Sequence, residues 1–157
     1  MSRLAADLVC RSLLCFGIAG AVAGFMHAPL AASAPPVVPE QPSAVFGAFD
    51  ECGDLVQTDL IPLVPGQEFG WRMPVADTFP HSWREVLITP NAPREWIGAD
   101  LAITDDGKVG VTERTEAPID GVLEHSWTVT DGDPAGQHEM QLYVDGTLVK
   151  TFHFVVR

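Results

Sequence analysis

Residues 134–157 read PAGQHEMQLYVDGTLVKTFHFVVR. Two runs rich in β-forming residues flank Asp145-Gly146. That dipeptide suits a two-residue hairpin turn, because glycine takes positive φ freely and aspartate tolerates it. A simple two-residue turn would pair position 142 with 149, 140 with 151 and 138 with 153. One face would then carry Met140, Leu142 and Val149 together with His138 and His153. Phe152 and Phe154 would fall on the other face, beside Glu139 and Gln141. A one-residue bulge near Lys150-Thr151 resolves the conflict, since one extra residue moves everything beyond it to the opposite face. It gathers Phe152, Phe154 and Val156 on the side of Leu142 and turns His153 outward. The bulged hairpin is therefore the expected arrangement.

Upstream, the same period of two recurs. Residues 67–73 place Phe69, Trp71 and Met73 on one side and Glu68, Gly70 and Arg72 on the other. Residues 122–129 alternate Leu123, His125, Trp127 and Val129 with Val122, Glu124, Ser126 and Thr128. Strands are also expected over 45–50, 83–89, 96–104 and 109–115, with mixed character over 54–65. Turn signals separate them at Pro65-Gly66, Asp105-Asp106-Gly107 and Asp131-Gly132-Asp133-Pro134. No segment has a helical period with caps. About seven strands spaced in this way predict an all-β fold, an antiparallel immunoglobulin-like β-sandwich.

The N-terminal region reads differently. Arg3 and Arg11 precede an apolar run over 13–26, and small residues follow at 31–34. This is the pattern of a secretory signal peptide over 1–34. The apolar run falls short of the roughly 20 residues that a spanning helix needs. Residues 35–43 hold prolines at 35, 36, 39 and 42 and form a proline-rich linker. The β-sandwich domain occupies 44–157. Sec export to the periplasm or the extracellular space is expected. Neither Cys10 nor Cys15 follows a lipobox.

Composition bounds the partners. The chain has 9 basic and 21 acidic residues and a net charge of −12. Without 1–34, which hold Arg3, Arg11 and Asp7, 7 basic and 20 acidic residues remain. Such a surface repels phosphate backbones and anionic lipid heads, so nucleic acid and acidic membranes are poor partners. A protein partner and a monomeric state are expected.

Few residues carry a chemical signal. Cys52 is the one cysteine beyond the signal region, a small buried hydrophobe or a possible half of an intermolecular disulfide. The acidic neighbours Asp50, Glu51 and Asp54 argue against a nucleophilic thiol. His138 and His153 would stand side by side only in the unbulged hairpin, as half of a metal site. The aspartate-glycine clusters at 105–107 and 131–133 lack the calcium-loop spacing and read as turns. No nucleophile elbow, phosphate loop or zinc-protease motif is present, so neither an enzyme nor a cofactor is expected. Trp71, Trp83 and Trp127 lie on alternating strands and belong in the core. Trp96, after a proline-broken loop, is the candidate exposed aromatic of a binding surface.

The segments 66–72 (GQEFGWR), 134–138 (PAGQH), 143–146 (YVDG) and 152–156 (FHFVV) resemble a family of small exported bacterial domains, domain of unknown function 3859. The resemblance implies export and an immunoglobulin-like fold, and it brings no catalytic residues. The sequence reads as an exported, non-catalytic binding or accessory module. The alternative is a periplasmic metal-binding protein that uses His138 and His153.

Overall fold

The computed structural model describes residues 43–157 apart from Ala99 and Asp105. The expected signal peptide lies outside the described residues, as does all but the last residue of the linker. Among the described residues ten strands follow one another: β1 (Val45–Phe49), β2 (Leu55–Gln57), β3 (Leu60–Ile61), β4 (Glu68–Pro74), β5 (His81–Ile88), β6 (Leu101–Thr104), β7 (Val109–Glu116), β8 (Val122–Thr128), β9 (Gly136–Val144) and β10 (Thr147–Val156). The count exceeds the expected seven chiefly because β2 and β3, short strands of three and two residues, lie in the stretch read as mixed. The strand expected over 96–104 begins only at Leu101, and Trp96 stays in the preceding loop.

The β9–β10 hairpin turns at Asp145 and Gly146, with φ of 49° and 76°, the left-handed pair that a tight hairpin turn requires. Its register slips between Leu148 and Lys150. Beyond the slip Lys150 faces Leu142, Phe152 faces Met140 and Phe154 faces His138. The bulge thus lies next to the expected position. It buries Phe152, Phe154 and Val156 with Met140 and Leu142.

The strands form a four-stranded sheet, β2-β1-β4-β8, and a six-stranded sheet, β3-β10-β9-β5-β7-β6. All neighbours run antiparallel except β3, which lies parallel to β10. In immunoglobulin terms β4 and β8 take the places of strands B and E, and β5, β9 and β10 those of C, F and G. Between the sheets lie two aromatic groups. Phe46, Phe69, Phe152 and Phe154 pack together, with Phe46 and Phe154 centroids 4.5 Å apart. Trp71 meets Trp83 edge to face at 5.4 Å. Trp83, fully buried on β5, is the strand-C tryptophan of this sandwich.

Gly47 of β1 and Gly70 of β4 face each other across the four-stranded sheet. A Cβ on Gly70 would sit 2.1 Å from the His125 carbonyl oxygen, and one on Gly47 would sit 2.0 Å from that of Val56. Both contacts are with backbone, which cannot step aside without breaking ladder bonds. Gly70→Ala should therefore cost about 3 kcal/mol, the upper end for overpacking, read from urea unfolding. A loss below about 1 kcal/mol would show that the strands can move apart there.

Candidate functional site

Alternation along β5 puts Trp83, Glu85 and Leu87 on the inner face, so a carboxyl group enters the core. Glu85 is 0% exposed. A buried carboxyl must find hydrogen-bond partners, and here the facing sheet supplies them. Trp71 Nε1–H donates to Oε2 at 2.6 Å, and Trp127 Nε1–H donates to Oε1. His125 Nδ1 lies 3.1 Å from Oε2, and its ring leans on Trp83 with centroids 5.0 Å apart. An indole nitrogen can only donate, so Glu85 answers two groups that have no other acceptor. The cluster ties β5 to β4 and β8, across the space between the sheets. Glu85→Ala removes the acceptor of three donors and opens a cavity, so a loss of about 3–5 kcal/mol is expected in chemical denaturation. Unchanged stability would mean that the cluster does not hold the sheets.

The second feature is one end of the sandwich. The β4–β5 loop (75–80), the β7–β8 loop (117–121) and the β9–β10 turn all emerge there, because His81 pairs with Glu116 and Trp83 with Val144. The Val75 N–H donates to the Gly121 carbonyl at 2.8 Å, which joins the first two loops. His81 joins the first to the third. Its Nδ1 lies 2.8 Å from Asp145 Oδ2 and its Nε2 lies 3.1 Å from Asp77 Oδ1. The Ser82 N–H donates to Asp145 Oδ1 at 3.0 Å, and the Asp145 N–H donates to the Ser82 carbonyl at 2.7 Å. On this braced platform stand Phe79, 73% exposed, and Ile119, 80% exposed. They are the two most exposed large hydrophobic residues described.

Both ends of the histidine clamp titrate in the stabilising direction. The hydrogen bond to Asp145, helped by Asp77, raises the His81 pKa. The His81 bond and the Ser82 N–H hold Asp145 below its ordinary range. A raised histidine stabilises the fold fully below about 6.5, its unfolded value, and loses this as pH rises through its folded value. A lowered aspartate stabilises above about 4 and loses this as pH falls through its folded value. The clamp is strongest between these limits. In Asp145→Asn the His81 midpoint, followed by NMR of its ring protons, should fall toward 6.5. An unmoved midpoint would show that Asp145 does not hold the ring.

The residues singled out from sequence are placed as follows. Trp96 does not project as an exposed aromatic. It is half-buried, its Nε1–H donates to the Gly107 carbonyl at 2.8 Å, and it meets Trp127 edge to face at 6.0 Å. Its ring lies over Gly110, where a Cβ would come within 2.6 Å of it. The side chain thus covers the inner face of β7. Cys52 is exposed in the β1–β2 turn rather than buried, and its sulfur is engaged in a disulfide. His138 and His153 point to opposite faces. His138 is buried, stacks on Phe154 at 5.2 Å and donates from Nδ1 to the Gly136 carbonyl at 3.0 Å. Burial lowers its pKa. His153 is exposed beside Glu139, at 3.7 Å. The bulge that saves the phenylalanine core separates the two imidazoles. Among the described residues no group of three or more His, Cys, Asp or Glu is placed to hold a metal ion.

Glu85, His125 and the clamp around His81 were not singled out from sequence. For Glu85 and His125 a signal existed, since each shares its parity with tryptophans in a strand. For His81 none existed, because its partners lie 64 residues away at Asp145 and in a loop at Asp77.

Among solved structures the chain is similar to an immunoglobulin-like protein (PA1606) from Pseudomonas aeruginosa. The identity is 18% and the TM-score 0.48, over 74% of this chain and 95% of that one. It is more distantly similar to the Pseudomonas fluorescens alkylpurine DNA glycosylase AlkC bound to DNA containing an abasic site analog. There the identity is 11% and the TM-score 0.36, over 74% of this chain and 31% of that one. No curated protein matches the chain. The family model described as the PM0630 beta sandwich domain matches residues 44–157, which hold both sheets and every strand described above. The chain belongs to the PM0630 beta sandwich domain family.

Proposed function

We propose that this protein is an exported, non-catalytic binding module that holds a protein partner at the loop end of its sandwich. The observation that carries the reading is the pair Phe79 and Ile119, exposed on loops that the His81 clamp and the Val75–Gly121 bond hold in place. Large apolar side chains on a braced surface lose little entropy on binding and remove water from a broad contact. Loops at this end of an immunoglobulin-type sandwich are positioned by rigid strands, and such loops commonly carry recognition. The net charge of −12 favours a partner with basic groups around an apolar centre. It disfavours nucleic acid. The signal-like pattern over 1–34 supports an encounter in the periplasm or outside the cell. The metal-binding alternative gains no support from His138 and His153, which face away from each other.

The test compares capture of periplasmic protein by three immobilised chains. These are the wild type, the double variant Phe79→Asp/Ile119→Asp, and Val64→Asp, an exposed apolar position at the opposite end. One stoichiometric partner should be held by the wild type and by Val64→Asp and be lost from the double variant, whose Tm stays unchanged. Equal capture by all three would remove the loop end from the interaction.

A further inference from the structure

The six-stranded sheet extends past the four-stranded one, because β7 and β6 continue beyond β5 while the smaller sheet ends at β8. A surface cavity of about 380 Å3 lies in this step, between the inner face of β7 and the edge of β8. That volume lies at the lower end of small-molecule sites, roughly 300–1,000 Å3. Ile97 and Gly98 close one side.

Three side chains on its wall hold polar atoms that make no hydrogen bond to a described residue. The Arg114 guanidinium makes none, and its Nε is buried without an acceptor. The nearest carboxylate, Asp100 Oδ2, stays 3.7 Å from Nε, too long for a hydrogen bond, on a side chain that is largely in solvent. Thr112 is 2% exposed and lines the cavity, and its hydroxyl bonds to no described residue. His125 lines the cavity too, with Nδ1 3.1 Å from Glu85 Oε2 and Nε2 bonded to no described residue. Arg114 and His125 both lean on the ring of Trp83, at 5.7 Å and 5.0 Å. Glu124, the acidic residue on the wall, is occupied by Arg72.

We propose that this cavity binds a small organic carboxylate. A guanidinium presents paired N–H groups in a plane that matches the two oxygens of a carboxylate, and no protein acceptor competes for them at bonding distance. The Thr112 hydroxyl and His125 Nε2 then meet a polar substituent beside the carboxyl. Glu85 fixes the imidazole from behind, so the second contact is already oriented before the ligand arrives. The site is separate from the loop end, and it stands or falls independently of the protein partner.

An NMR titration of the folded chain tests this with sodium lactate, with lactamide as the uncharged counterpart and with sodium sulfate as a different anion. Lactate should give saturable shifts at Arg114, Thr112 and His125, lactamide none, and sulfate at most weak ones. Arg114→Gln should weaken lactate binding about tenfold or more, through loss of the charge-assisted pair. Arg114→Lys should fall between. Thr112→Val, which nearly preserves shape, should weaken binding without lowering Tm. No saturation by lactate would overturn the proposal, as would equal binding of lactamide or sulfate. So would unchanged lactate affinity in folded Arg114→Gln or Thr112→Val.

Discussion

A carboxyl group buried between two sheets is the constraint on which this molecule rests. Glu85 enters the core from β5 and accepts from Trp71 on β4 and from Trp127 on β8, with His125 Nδ1 also within bonding distance. In antibody domains a disulfide joins strands B and F at this depth, packed on the strand-C tryptophan. Here Trp83 keeps the tryptophan position and Glu85 takes over the work of joining the sheets. The bond is polar and directional, so it sets more than distance. It fixes which way each indole nitrogen points, and therefore how Trp71 meets Trp83 edge to face.

Much of the remaining architecture follows from that tie. With the tryptophans committed to one half of the core, the phenylalanines fill the other half around Phe46 and Phe154. The hairpin must turn Phe152 and Phe154 inward, and the slip between Leu148 and Lys150 does so. His125, held by Glu85 at the edge strand β8, lines the step where the larger sheet runs on past the smaller. The opposite surface of the same logic appears at the loop end. There the His81 clamp uses two aspartates to bind a loop to a turn, and it leaves Phe79 and Ile119 on a fixed base.

The fold was largely legible in the sequence because strands alternate with a period of two and the Asp145-Gly146 turn has one good conformation. The conflict between that turn and the phenylalanines even revealed the bulge. The strands β2 and β3 escaped notice, since three or two residues carry no period. Glu85 and His125 sat on the buried parity of strands already read, beside Trp83 and Trp127, and a charged residue at such a position is itself a signal of a network. Trp96 misled for a physical reason. A proline-broken loop is usually at the surface, but Gly110 leaves a hollow on β7 that only the folded sheet reveals, and the indole lies in it. The His81 clamp depends on contacts between distant segments, and no local pattern encodes it.

The most direct measurement is hydrogen exchange of the indole N–H groups of Trp71 and Trp127 in the native protein. If Glu85 holds both in a closed core, the two protons should exchange together, at the rate set by global unfolding, and should slow as stability rises. The half-buried Trp96 indole, bonded only to a loop carbonyl, should exchange sooner. Rapid exchange of Trp71 and Trp127 while the fold remains intact would contradict the tie between the sheets.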